Sequence, residues 1–482
     1  MSIPRVIIIS LCLICVIPLS MATNEVLGLF SYSTSKKSSE TDEYRNFWAC
    51  DFRRNNYYYQ VNARLLTIGD HCYIYMEEEC IFELGEESVT SKAAAVCEEF
   101  DITIYPRIID LAGHPNGTMG DIDNDPKIFI LFHDGSNYYS EANDIEHNIS
   151  NKCEMVYINY RLLNHHWVYP TIAHEFHHLI WFNNDWGEPP FTLEALAQYA
   201  TYHAGYLGPY HNLVPQVASY LPHPENSPLY WNNDEDYGST YLFAFYIAEK
   251  YGVQILRDLI DEPSDGPQGI EAVLQSAGYN ITFNELFMNW ITALTIDELG
   301  FQNNLFGFEG CDPRISCNGI QNKIPINQSI SLGHYAFYIQ KLISPPDNLT
   351  VTITRSPTHA IGVSMAFHDA FGWHVQQSLH YEDSNTIKNS FSGSSVKAAY
   401  LIMSYISKET PIAPNQRGSD CPFVDIKITI TEGLHDNEMP HNQDTEPGTS
   451  HSTPFSDICS PLHYLCVLVL FLYLPVFKKR KI

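Results

Sequence analysis

The stretch Tyr169-Pro-Thr-Ile-Ala-His174-Glu175-Phe-His-His178-Leu-Ile-Trp-Phe holds the residue types and spacing that metal chemistry needs. Two histidines four residues apart sit about 40° apart on a helix, one turn above the other, which is how a single helix serves a tetrahedral zinc ion. Ile172, Phe176, Leu179 and Ile180 fill the opposite arc, so one face is core and the other carries imidazoles. Glu175 falls beside such an ion rather than on it, where a general base belongs. With 21 His in 482 residues, chance would supply on the order of 0.05 such patterns. The bland alternative is a His-rich helix whose imidazoles are satisfied locally. A third ligand follows 16 residues after His178 in Phe191-Thr-Leu-Glu194-Ala-Leu-Ala-Gln198-Tyr199-Ala. Glu194 there completes a His2Glu set and leaves the fourth position to water. It equally suits an early helical turn, where the macrodipole favours a carboxylate. Gln198, one turn on, is placed to orient a ligand imidazole. Asp121-x-Asp123-x-Asp125 offers the alternate carboxylates that calcium takes, but the Gly and closing Glu of an EF-hand loop are missing, so a polar turn is the favoured reading.

These residues need a scaffold. Tyr57–Ile68, Cys72–Met76 and Lys127–Phe132 read as β-branched and aromatic strands, and Ser88–Phe100 as a helix. A helical period then predicts helices over Pro170–Asn183, Leu193–Ala204, Tyr241–Tyr251, Gly269–Ala277 and Asn284–Leu294. Strands followed by helices argue an α+β domain. Beyond Ile320 the text alternates again, in Leu349–Thr354, Ile361–Phe367, Ala398–Ser404 and Val424–Thr431, as a small β-sandwich would.

His174-Glu175-x-x-His178 with Glu194 and the Ala-rich stretch to Ala200 resembles the gluzincin metallopeptidases, most of all the hyicolysin-like secreted neutral proteases and their surface-anchored relatives. Asp121-Ile-Asp-Asn-Asp-Pro-Lys-Ile-Phe-Ile-Leu and Asp236-Tyr237-Gly238-Ser-Thr-Tyr241-Leu-Phe extend the resemblance, which covers Tyr57 to Gly252. Relatives have Trp-x-Asn-Glu-Gly where this chain has Phe191-Thr192-Leu193-Glu194-Ala195, and often a carboxylate in place of Gln198. The resemblance implies one catalytic zinc ion on His174, His178 and Glu194, hydrolysis of peptide bonds with Glu175 as base, and an oxyanion donor from a downstream helix. Tyr237 is the first choice for that donor, ahead of Tyr241, Tyr202 and His203.

Composition bounds the partners and the compartment. The 45% hydrophobic and 17% charged fractions belong to a folding chain. Of 27 basic residues, Arg5 and Lys478, Lys479, Arg480 and Lys481 lie at the extreme ends, leaving 22 against 56 acidic ones. A body so acidic repels nucleic acid and favours cations. Residues 1–22 read as a secretory signal. Residues 433–457 read as a flexible stalk, 458–477 as a transmembrane helix and 478–482 as a basic cytoplasmic tail, giving a type I surface protein. A removed lipid-anchor signal is the competing reading of the C-terminus. Eight body cysteines suggest disulfides, with Cys311–Cys317 the nearest pair, and Asn116, Asn148, Asn280, Asn327 and Asn348 are glycosylation acceptors. The expected whole is a zincin-like α+β catalytic domain over 23–300 and a β-sandwich over 320–432. Its expected function is that of a cell-surface zinc endopeptidase acting on protein or peptide substrates. The alternative is a catalytically lapsed zincin scaffold serving surface binding or adhesion.

Overall fold

The computed structural model describes residues 43–433 apart from 56, 115–120, 140–148, 186, 207–214 and 382–383. The expected signal, transmembrane helix and basic tail, and nearly all of the stalk, lie outside the described residues. Among the described residues no helix is long and apolar enough to cross a membrane.

The N-terminal half is built on one sheet. Strands β1 (Tyr44–Asp51), β2 (Tyr57–Ile68) and β3 (Cys72–Glu77) form an antiparallel meander. Helices α1 (Glu78–Leu84), α2 (Glu86–Glu99) and α3 (Tyr105–Ala112) then lead to β4 (Ile128–His133), β5 (Tyr138–Tyr139) and β6 (Met155–Asn159). The strand order is β1-β2-β3-β4-β6-β5, with β3, β4 and β6 parallel. Parallel strands are covered on both faces, and β4 is buried at every position. One face packs Ile74, Met76, Ile130, Phe132 and Ile158 against helices. The other is closed by the sheet itself, since β1 curls over so that Phe47 meets Tyr75 and Phe129 at ring distances of 5.1 and 6.1 Å. Its edge N–H groups are then taken by side chains from the far edge: Trp48 N donates to Asn151 Oδ1 at 2.7 Å and Cys50 N to Tyr138 Oη at 2.6 Å. An edge strand is thereby capped rather than left open.

Within this closed sheet His133 is fully buried, its Nδ1 against Tyr59 Oη at 2.9 Å and its Nε2 against Ser136 O at 2.8 Å. Burial pushes its pKa down to about 4. An unfolded imidazole titrates near ~6.5, so the unfolded chain takes up a proton that the folded one refuses. His133 leaves stability untouched above that pH and lowers it as pH falls toward 4, by as much as about 3 kcal/mol. Urea midpoints of wild type and His133→Gln at pH 7 and pH 4.5 check this: the wild type should lose more between the two, and equal losses refute it.

The next part of the chain is helical: α4 (Val168–Asn184), α5 (Pro190–His203), α6 (Pro215–Tyr220), α7 (Asp236–Tyr251), α8 (Val253–Asp258), α9 (Gly266–Ser276) and α10 (Phe283–Ile296). Thr282 and Glu285 close a capping box on α10. That helix is buried almost all round, which an apolar helix tolerates only when two layers cover it. The second layer is C-terminal: β7 (Gly319–Gln321), β8 (Ile326–Gly333), β9 (Phe337–Ile343), β10 (Asn348–Thr354), β11 (Ala360–Asp369), β12 (Gly372–His380), β13 (Thr386–Ser392), β14 (Ala398–Ile406) and β15 (Phe423–Glu432). They pair as a four-stranded sheet, β13-β10-β15-β8, and a five-stranded one, β12-β11-β14-β9-β7. Leu349, Val351, Val363, Leu401, Ile426 and Ile428 fill the space between the sheets. The outer face of the five-stranded sheet lies on α10, so close at Gly362 that a Cβ would come within 2.5 Å of Met288 Sδ. Thr292 Oγ1 bonds Ser364 Oγ at 3.0 Å, and Trp290 packs edge-on to Phe337. One core therefore runs from the first sheet through the helices into Phe337, Ile339, Ile402 and Ile406.

The cysteines correct an expectation. None of the eight described cysteines is in a disulfide bond, Cys311 and Cys317 included. Cys72 and Cys97 bring their sulfurs to 3.7 Å inside the core, well beyond a bonded ~2.05 Å. Apolar burial between sheet and helices, rather than cross-linking, fastens α2 to the sheet.

Candidate metal centre

Helix α4 carries Pro170 in its first turn and ends at Asn184, so His174 and His178 fall in its middle, where the backbone is most regular. Phe176, on the core side, meets Phe100 at 5.2 Å and Tyr105 at 5.7 Å, which fixes the rotation of the helix. The chain reverses after Asn184 and restarts at Pro190, and Glu188 anchors the reversal by accepting from Gly266 N at 2.9 Å. Glu194 thus returns on α5 to face the imidazoles. His174 Nε2 and His178 Nε2 lie 3.0 Å apart, and Glu194 Oε2 is 3.2 Å from the first and 3.3 Å from the second. A tetrahedral zinc with bonds of about 2.05 Å separates its ligand atoms by roughly 3.3 Å. The triangle fits that ion's edge length.

The charges fit as well. Burial works against a charged Glu194, yet the two imidazoles hold its carboxyl well below the usual range. Burial lowers the pKa of His178, while at His174 it is outweighed by Glu194, which raises that ring. Two imidazoles and a carboxylate meeting at one point is the donor set that a borderline-soft dication takes. Glu175 is nearly buried in the cleft wall, and burial pushes its carboxyl up to about 7. Tyr237, at the start of α7, stands with its ring 6.3 Å from that of His174. Gly238 beside it lets α7 press onto α6, because a Cβ there would be 2.4 Å from Gln216 O.

A cleft of about 490 Å³ opens over the triad, walled by Trp48, Tyr58, Tyr138 and Tyr157 on the sheet side and by Pro190, Leu193, Tyr237 and Arg417 on the other. It brings together His174, Glu175, His178, Glu194 and Tyr237, all expected from the sequence. The other oxyanion candidates turn elsewhere. Tyr241 is fully buried, Tyr202 packs on Phe245 at 5.1 Å, and His203 faces Asp110 at 3.5 Å. Gln198 lines an adjoining lobe with Glu175, Thr201 and Tyr237. In the acidic stretch, where a polar turn was the favoured reading, Asp121 and Asp123 gather with Glu154. Asp125 instead accepts from Tyr73 Oη at 2.7 Å while its N–H bonds Asp121 and Asp123, both at 3.0 Å.

The residue that sequence reasoning missed is Arg417. It lies on the β14–β15 connection, donates through Nη2 to Glu194 Oε1 and stands 3.5 Å from Tyr237 Oη. Nothing in the Gln416-Arg417-Gly418 context marks it, and 223 residues separate it from Glu194.

No protein-family profile matches the chain. Among solved structures, the pre-peptidase C-terminal domain of collagenase from Bacillus anthracis aligns with 24% of this chain and 97% of its own, at 11% identity and a TM-score of 0.16. The surface-associated copper-binding protein CorA of Methylomicrobium album BG8 aligns with 24% and 98%, at 4% identity and a TM-score of 0.18. Superpositions at such scores say nothing about the fold. In sequence the chain is 23% identical over 313 residues to the neutral metalloprotease ShpI of Staphylococcus hyicus, an alignment that takes in 57% of this chain and 66% of that protein, just under two thirds of its length. The chain whose helices gather two imidazoles and a carboxylate is thus distantly similar to a neutral metalloprotease.

Proposed function

We propose that the chain is a zinc-dependent endopeptidase of the gluzincin type on a zincin-like scaffold, working on the outer side of a membrane. One observation carries the reading: three metal-ligand atoms stand 3.0 to 3.3 Å apart at the floor of an open cleft that also holds Glu175 and Tyr237. When bound there, zinc supplies a Lewis acid and a water acidified to near-neutral pH. Glu175 takes a proton from the attacking water and returns it to the leaving amine. Tyr237 donates a hydrogen bond to the carbonyl oxygen as it becomes negative. The aromatic wall of Trp48, Tyr58 and Tyr138 and the apolar wall of Pro190 and Leu193 leave a trough for an extended peptide. The relative's name supports peptide-bond hydrolysis, and the apolar runs at 6–20 and 458–477 support export and membrane attachment.

Metal analysis of the purified protein, with cleavage of a denatured protein followed with and without 1,10-phenanthroline, tests the proposal. The expected result is close to one zinc per chain, with cleavage abolished by the chelator and restored by added zinc. Cleavage indifferent to the chelator refutes it. Zinc-loaded protein inert on every substrate tried moves the reading to a binding or adhesion scaffold.

A further inference from the structure

Arg417 reaches the centre from outside the helical body that supplies the ligands, and its connection is fastened on the way. Thr410 Oγ1 donates to Glu271 Oε2 at 2.7 Å on α9, Ala413 is buried beside Gly266, and Gly418 N donates to Trp231 O at 2.6 Å. The guanidinium carbon then stands 4.9 Å from the centre of the Trp231 ring and 5.8 Å from that of Tyr237. Cations over aromatic faces are held electrostatically, so this side chain, though 52% exposed, has a defined seat.

The seat divides the two oxygens of Glu194. Oε2 faces both imidazoles at 3.2 and 3.3 Å, while Oε1 takes its hydrogen bond from Arg417. A carboxylate with both oxygens free is able to chelate a metal through the pair; with one occupied by a guanidinium it offers a single oxygen. Ligating carboxylates depend on such outer partners for orientation. Resting on the metal reading above, we propose that Arg417 is a positioning residue of the centre. It holds Glu194 as a one-oxygen ligand and Tyr237 at the rim, so the C-terminal β domain completes a site whose ligands lie on α4 and α5.

The test compares full-length wild type, Arg417→Met and Arg417→Lys, with zinc affinity read by competition with a chromophoric chelator. The visible spectrum of each protein loaded with cobalt(II) reports coordination number. Arg417→Met should bind zinc roughly 10–100-fold more weakly and shift cobalt from the intense bands of four-coordination to the weaker ones of five. Arg417→Lys, which restores a donor and a positive charge, should recover most of both. Thermal unfolding of the metal-free proteins verifies that each is folded, and Arg417→Gln carries the same expectation if the Met variant is not. Wild-type affinity and an unchanged cobalt spectrum in Arg417→Met overturn the inference while leaving the metal centre standing. A wild type that takes up neither metal overturns the proposed function and this inference with it.

Discussion

Glu194→Ala is expected to lose zinc affinity by more than the roughly 10–100-fold that removal of an outer partner costs, and to lose hydrolysis with it. Oε2 of Glu194 is the vertex that brings two nitrogens 3.0 Å apart into a three-donor site. Without it the pair His174 and His178 offers two neutral donors, which hold a dication far less firmly than a set containing an anion. The substitution also removes the carboxylate that Arg417 faces. That guanidinium is half in solvent and retains the Trp231 ring, so the fold should survive the loss. Zinc content after dialysis against a weak chelator, set beside the melting temperature of the metal-free protein, separates the two effects. Stoichiometric zinc in folded Glu194→Ala would place the metal somewhere other than this triangle.

What the sequence made legible follows from the range of the interactions involved. The spacing of His174, Glu175 and His178 is a property of one helix, and Glu194 lies in the second turn of the next, so period and proximity sufficed. Strand β2 was readable to both ends, Tyr57 to Ile68, because an alternating strand and its turn are local. Strand β1 is not legible in the sequence, because its burial depends on the far edge of the sheet, where Asn151 and Tyr138 come to meet it. Helix α10 was legible as a helix, yet its two-sided burial waits on strands β11 and β14 far along the chain, at Ala360–Asp369 and Ala398–Ile406. Among the oxyanion candidates the sequence puts Tyr237 ahead of Tyr241, and packing shows the second sealed in the core while the first lines the cleft. Arg417 is the extreme case, since its partner lies on another domain and no periodicity connects them.

Glu175→Gln should divide chemistry from metal binding more cleanly than any ligand change. The amide keeps the size of the carboxyl and its place in the cleft wall, but has no basic oxygen for the water's proton. General-base catalysis is worth about 10²–10⁴-fold, and kcat should fall by that range while zinc content and KM stay near wild type. The triad closes without Glu175, which argues against zinc being lost with it. Should zinc be lost, Glu175 belongs to the ligand set; should kcat be unchanged, another group is the base. Tyr237→Phe gives a second axis, with a fall of roughly 10²–10³ for one missing oxyanion donor. In the proposed mechanism base and donor serve one transition state, with the proton leaving the water as charge builds on the carbonyl oxygen. Residues that act as a unit are not additive, so the double variant should fall by less than the product of the single losses. Losses that multiply instead would mean that Tyr237 acts apart from the step Glu175 serves, for example in seating the peptide rather than in stabilising the oxyanion.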